Sequence, residues 1–181
     1  MANGYSPQYV SPVPPGQTPE VRDSETYSKI ILGPTFFEMY DLRVEGQAGE
    51  PTPPESVQPG QSSSIVASNE EFIASVKVKF NNTPLTRLLL CLGIQIKVCF
   101  SFEGFGKKAS EKDLEATIVT EKDQFYYVVT YKGTPESAEL SPGFYAISAI
   151  AEIGPGNHPC AQYVFGFGYV AKALLQVYQA F

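Results

Sequence analysis

Leu140-Ser141-Pro142-Gly143-Phe144-Tyr145 releases the chain into a run in which Tyr145, Ile147, Ala149, Ala151 and Ile153 alternate with Ala146, Ser148, Ile150 and Glu152. Period-two alternation sends successive side chains to opposite faces of a strand, so Tyr145 and its partners are predicted to be core, with Phe144, Ala146 and Ser148 facing the other way. The Pro-Gly pair sets a turn. A tyrosine two residues later can bury its ring while its hydroxyl bonds the backbone of the corner, which is a β-sandwich signature. That feature speaks to fold, and fold does not name function.

Outward from the corner, the same period recurs. Residues 71–80 place Phe72, Ala74, Val76, Val78 and Phe80 inward, with Glu71, Ser75, Lys77 and Lys79 outward. Residues 94–102 do likewise with Ile94, Ile96, Val98, Phe100 and Phe102, leaving Cys99 on the far side. Residues 36–45 read as the first long strand, with Tyr40, Leu42 and Val44 on one face. Residues 114–120 and 124–132 read as a hairpin around Glu121-Lys122-Asp123, the second arm at least partly buried on both faces. The apolar run 85–92 is a buried strand or a helical turn, which periodicity does not distinguish.

After Gly154 to Cys160 turns the chain, Tyr163, Phe165, Phe167 and Tyr169 alternate with Val164, Gly166 and Gly168. The expected arrangement is rings in the core and glycines at a bend; the functional alternative is an exposed aromatic platform. This strand is expected to end near Lys172, because a run to Tyr178 would far exceed the usual five or six residues. Val170, Ala173, Leu174, Val177, Tyr178 and Phe181 form a helix-like stripe, expected to pack on a neighbouring surface.

Composition narrows the class further. Eleven Tyr, twelve Phe, fifteen Gly and fifteen Pro favour strands joined by frequent turns. The net charge of −6 is carried by residues 36–71, and Lys107-Lys108 is the one adjacent basic pair, so nucleic acid is not an expected partner. No continuous apolar run reaches the ~18 residues that span a bilayer, so membrane insertion is not expected. The opening Met-Ala-Asn-Gly-Tyr lacks the charged and apolar regions of a secretory signal, and a cytoplasmic location is the expectation.

Two segments stand apart. Residues 1–35 form a Pro-rich arm, expected to be extended or disordered, with Tyr5, Tyr9 and Val10 as candidate docking anchors. Residues 36–181 are the sandwich domain with its apolar tail. Within it, residues 46–64 are a long loop rich in Pro, Gly, Ser and Glu.

About seven alternating strands, with Pro142-Gly143-Phe144-Tyr145 on the penultimate one, resemble immunoglobulin-like and fibronectin type III-like sandwiches over residues 36–172. The resemblance is to the broad class, since no Trp marks the third strand and no cysteine pair marks the second and sixth. It implies an all-β, antiparallel two-sheet sandwich of about seven strands, and a role in binding. A jelly roll is the architectural rival.

No catalytic role is assigned. His158 is the single histidine, and Cys160 lies two residues away in a Pro-Gly turn, where a nucleophile and its base do not converge. Cys91, Cys99 and Cys160 match no metal spacing, and no cofactor is expected. The expected function is a non-enzymatic interaction or structural protein that binds a protein partner or associates with itself. Its candidate contact residues are Tyr5, Tyr9, Val10, Phe105, Tyr178 and Phe181, with the acidic loop. Two alternatives stand beside it: a subunit of a virion or other ordered particle, and a small-ligand or carbohydrate binder using residues 163–169. The small-molecule reading is the less favoured, for want of Trp.

Overall fold

Alternation becomes two packed sheets. In a computed structural model of the chain, residues 34–47, 64–106 and 110–180 are described, and they carry eight strands and one helix. The strands are β1 (Phe37–Gly46), β2 (Ile65–Ala67), β3 (Phe72–Phe80), β4 (Gln95–Phe105), β5 (Lys112–Val119), β6 (Tyr126–Gly133), β7 (Gly143–Gly154) and β8 (Gly166–Tyr178), with α1 (Pro84–Cys91) between β3 and β4. One sheet has the order β1-β3-β6 and the other β2-β8-β7-β4-β5. All pairings are antiparallel except β2 with β8. The expected all-β, two-sheet architecture is therefore present, with β2 as a short parallel strand that alternation over three residues does not announce.

The core lies between the sheets and is built from the predicted inward sets. Phe72, Ala74, Val76 and Val78 of β3 face Ile96, Val98, Phe100 and Phe102 of β4 and Tyr145, Ile147 and Ala149 of β7, all essentially without solvent contact. Phe72 and Phe102 meet edge to face at 5.9 Å, as do Phe102 and Tyr145 at 6.4 Å. At the corner, the Tyr145 hydroxyl donates to the Ser141 carbonyl at 2.5 Å, so the buried ring keeps its polar end satisfied.

The run 85–92 is resolved in favour of helix. Thr83 caps it, its Oγ1 accepting from the Thr86 N–H at 3.3 Å, and Pro84 occupies the first turn, where a missing N–H costs nothing. The expected hairpin of 114–120 with 124–132 does not form: β5 pairs with β4 in one sheet and β6 with β3 in the other. Residues 120–125 carry the chain between sheets, clasped by the Tyr127 hydroxyl, which donates to the Gln124 carbonyl at 2.7 Å and accepts from the Glu121 N–H at 3.0 Å. Only one face of β6 is buried, since Tyr126 and Val128 are exposed on the other.

Two bulges change which residues face inward. In β1 the register slips between Tyr40 and Arg43, with Asp41 at φ 56°. Tyr40 is thereby turned outward while Phe37 before the bulge and Val44 after it stay in the core. In β8 the register slips opposite Ile147 and Ser148, with Lys172 at φ 90° as the extra residue. The strand does not end at Lys172 but continues to Tyr178, because the bulge keeps apolar residues facing inward on both sides of it.

Candidate interaction face

The second bulge decides the outer surface of the larger sheet. Before it, Gly166, Gly168 and Val170 face the core; after it, Ala173, Leu175 and Val177 do. The expectation that the rings of 163–169 are core is therefore overturned. Gly168 sits against the other sheet so closely that a Cβ there would lie 2.5 Å from Phe37 Cε2 and 2.6 Å from Met39 Sδ. Glycine faces inward because β1 fills the space, and the alternating rings are forced out: Phe167 is 55% exposed and Tyr169 67%.

Ladder register places these rings among other apolar residues. Tyr169 lies opposite Ile150, and Ile150 opposite Cys99. Farther along, Leu174 lies opposite Ala146, and Phe144 lies between Gln176 and Phe105. The Phe105 and Phe144 rings meet at 6.0 Å. Between the two apolar ends run the small residues Ala146, Ser148 and Ala171, a low waist on a face roughly 27 Å long at the rise of a strand. Phe144, Ile150, Leu174 and Tyr178 are each at least 40% exposed. The β4–β5 side of the same face is charged: Lys97 pairs with Glu115 at 2.8 Å, and Ser101 bonds Asp113. The face is thus apolar on β7 and β8 and ionic on β4 and β5.

Of the residues singled out from sequence, Phe105 and Tyr178 fall on this face, at the end where Phe144 and Leu174 lie. Tyr5, Tyr9, Val10 and Phe181 lie outside the described residues, as do most of the acidic loop and Lys107-Lys108. Phe167 and Tyr169 belong to the exposed aromatic platform that the sequence offers as an alternative, whereas Phe144, Ile150 and Leu174 are not among the contacts expected from sequence. The signal that favours the platform for Phe167 and Tyr169 is Gly166 and Gly168: two glycines on one side of a strand mean a close neighbour on that side.

Chemistry on the described residues is sparse. His158 is exposed in its turn, its Nδ1 accepting from the Cys160 N–H at 3.1 Å. Burial and the nearby Asp113 push the Cys99 thiol up from its ordinary value, so it is held as the weakly nucleophilic thiol. Among the described residues, no group of three or more His, Cys, Asp or Glu is placed to hold a metal. No helix among them is long and apolar enough to cross a membrane.

No protein-family model matches the chain, and no curated protein matches it. Solved structures similar to it include the Pseudomonas fluorescens alkylpurine DNA glycosylase AlkC bound to DNA containing an abasic site analog, at 9% identity and a TM-score of 0.38 over 78% of this chain. The chain spans 30% of that protein's length. Another is AggA, the major subunit of aggregative adherence fimbriae type I from Escherichia coli, at 10% identity and a TM-score of 0.30, over 64% of this chain and 89% of that one. Likeness at this level carries no functional argument.

Proposed function

We propose that this is a non-enzymatic interaction protein, an immunoglobulin-like sandwich that binds a protein partner or a second copy through the outer face of β7 and β8. The observation that carries the reading is the exposure of Phe144, Ile150, Phe167, Tyr169, Leu174 and Tyr178 on one sheet face. Six such side chains, each about half exposed, amount to on the order of 600 Å² of apolar surface. That is the upper end for the largest patch on a typical monomer and most of the ~800 Å² that one partner buries in a standard interface. The immunoglobulin-like assignment is supported by the strand order, by β2 running parallel beside the last strand, and by the tyrosine corner. Three free thiols fit a reducing compartment such as the cytoplasm.

A sugar platform on the same rings has in its favour their exposure and the exposed Glu152 opposite Phe167, but the aliphatic Ile150 and Leu174 on the same face favour a protein partner. Assembly into an ordered particle would use the same face as a soluble adaptor.

The test is light scattering and native-source capture with the wild-type chain and a Phe167→Ser, Tyr169→Ser, Leu174→Ser variant. Hot-spot truncation costs about 2 kcal/mol or more, so association or capture is expected to weaken by roughly 30-fold or more, with thermal stability unchanged. Equal binding by both proteins, or a wild-type monomer that captures nothing, would sink the reading.

A further inference from the structure

Where β1 begins, the end of the sandwich holds an apolar pocket of about 260 Å³. Phe37, Leu85, Leu89, Ile94, Ile153 and Phe165 line it, and no charged side chain does. The polar atoms on its wall are already engaged. Thr86 is fully buried and donates to Asn81 Oδ1 at 2.7 Å, while Thr35 Oγ1 lies 3.3 Å from Thr86 Oγ1. An occupant therefore needs no hydrogen-bonding group, and a charged one would lie without a counter-charge. A cavity of roughly 150 Å³ accepts a benzene ring, so this one has room for about two branched aliphatic side chains.

The sequence just before Thr35 carries such side chains. Thr35 lines the pocket, and the residues before it read Ile30-Ile31-Leu32-Gly33-Pro34, the single run of three consecutive aliphatics in residues 1–33. The Pro34 carbonyl is fixed beside α1, accepting from Asn81 Nδ2 at 2.9 Å and from Thr83 Oγ1 at 3.1 Å. At about 3.3–3.6 Å per residue, Ile31 and Leu32 stay within roughly 15 Å of Thr35 whatever course the chain takes. That tether corresponds to an effective concentration of roughly millimolar or above.

We propose that Ile31 and Leu32 of the same chain are the occupant that docks in this pocket. The proposal is independent of the role given to the outer face. In the full chain with Cys91, Cys99 and Cys160 replaced by Ser, Leu32→Cys with Leu89→Cys is expected to form an intramolecular disulfide in most molecules under mild oxidation. The control Val13→Cys with Leu89→Cys is expected to form little. A second readout does not depend on trapping: benzene should leave the Ile153 methyl resonance of the wild-type chain unmoved and shift it in an Ile31→Asp, Leu32→Asp variant. Disulfides that form only between chains, none at all, or a wild-type methyl that responds to benzene as the variant does, would each overturn the proposal.

Discussion

Gly168 concentrates the inversion of β8 in one missing atom. A methyl group there would enter the space of Phe37 and Met39, whose backbone is held in the facing sheet, so both side chains must shift to admit it. Overpacking of this kind typically costs about 1–3 kcal/mol. Gly168→Ala is therefore expected to lower stability by that amount, read as a lower urea midpoint at unchanged slope, while Gly106→Ala, with nothing near its Cβ position, is not subject to this clash. A neutral Gly168→Ala would mean that β1 does not press on β8 there. Residue hydrophobicity alone did not disclose this, because four rings facing two glycines read as a core strand until Phe37 and Met39 are known to occupy the glycine side.

At the scale of the element, Lys172 does for phase what Gly168 does for space. Its positive φ lies where an L side chain costs about 1–2 kcal/mol, and glycine loses part of that gain through unfolded-chain entropy. Lys172→Gly should thus raise stability by up to about 1 kcal/mol. Deleting Lys172 should be tolerated, since Ala171 and Ala173 then follow one another opposite Ser148 and Ile147, and regular alternation keeps Leu175 and Val177 inward. Chemical denaturation of both variants checks the pair; a deletion that costs about 1.5–3 kcal/mol, the worth of a buried apolar side chain, would show that Lys172 is not an extra residue in the ladder. The strands legible in the sequence, β3, β4 and β7, keep one phase from end to end. β1 and β8 do not, and a single inserted residue converts period two into spacings of three and four, which is why 170–181 reads as a helical stripe. Phe105 and Tyr178 were legible as contacts because one sits between glycines and the other in an apolar tail. Phe167 and Tyr169 were legible as the alternative platform, while Phe144, Ile150 and Leu174 required the register.

For the whole molecule, the charge pairs sit on the outside of the sandwich while the polar corner contacts sit at its ends. Asp41 is held below its ordinary 3.8 by hydrogen bonds from Lys77 and then Arg43, and Glu139 below its ordinary 4.5 by Lys112. A depressed carboxyl contributes stability above its unfolded value and loses it as pH falls through the folded one. Lys97 is raised above its ordinary 10.5, chiefly by its bond to Glu115, so its contribution is present below 10.5 and lost as pH rises through the folded value. Stability is thus expected to be level between about pH 5 and 10 so far as these groups decide it, with a shallow acid limb that weakens in salt because every pair is solvent-exposed. Protonation also relieves the excess negative charge of −6, so the acid limb is best read as a difference between proteins. Denaturation midpoints of the wild type and of an Asp41→Asn, Glu139→Gln variant should converge as pH falls from about 5 toward 3 at low ionic strength; a gap that stays constant or widens would show that these pairs do not set it.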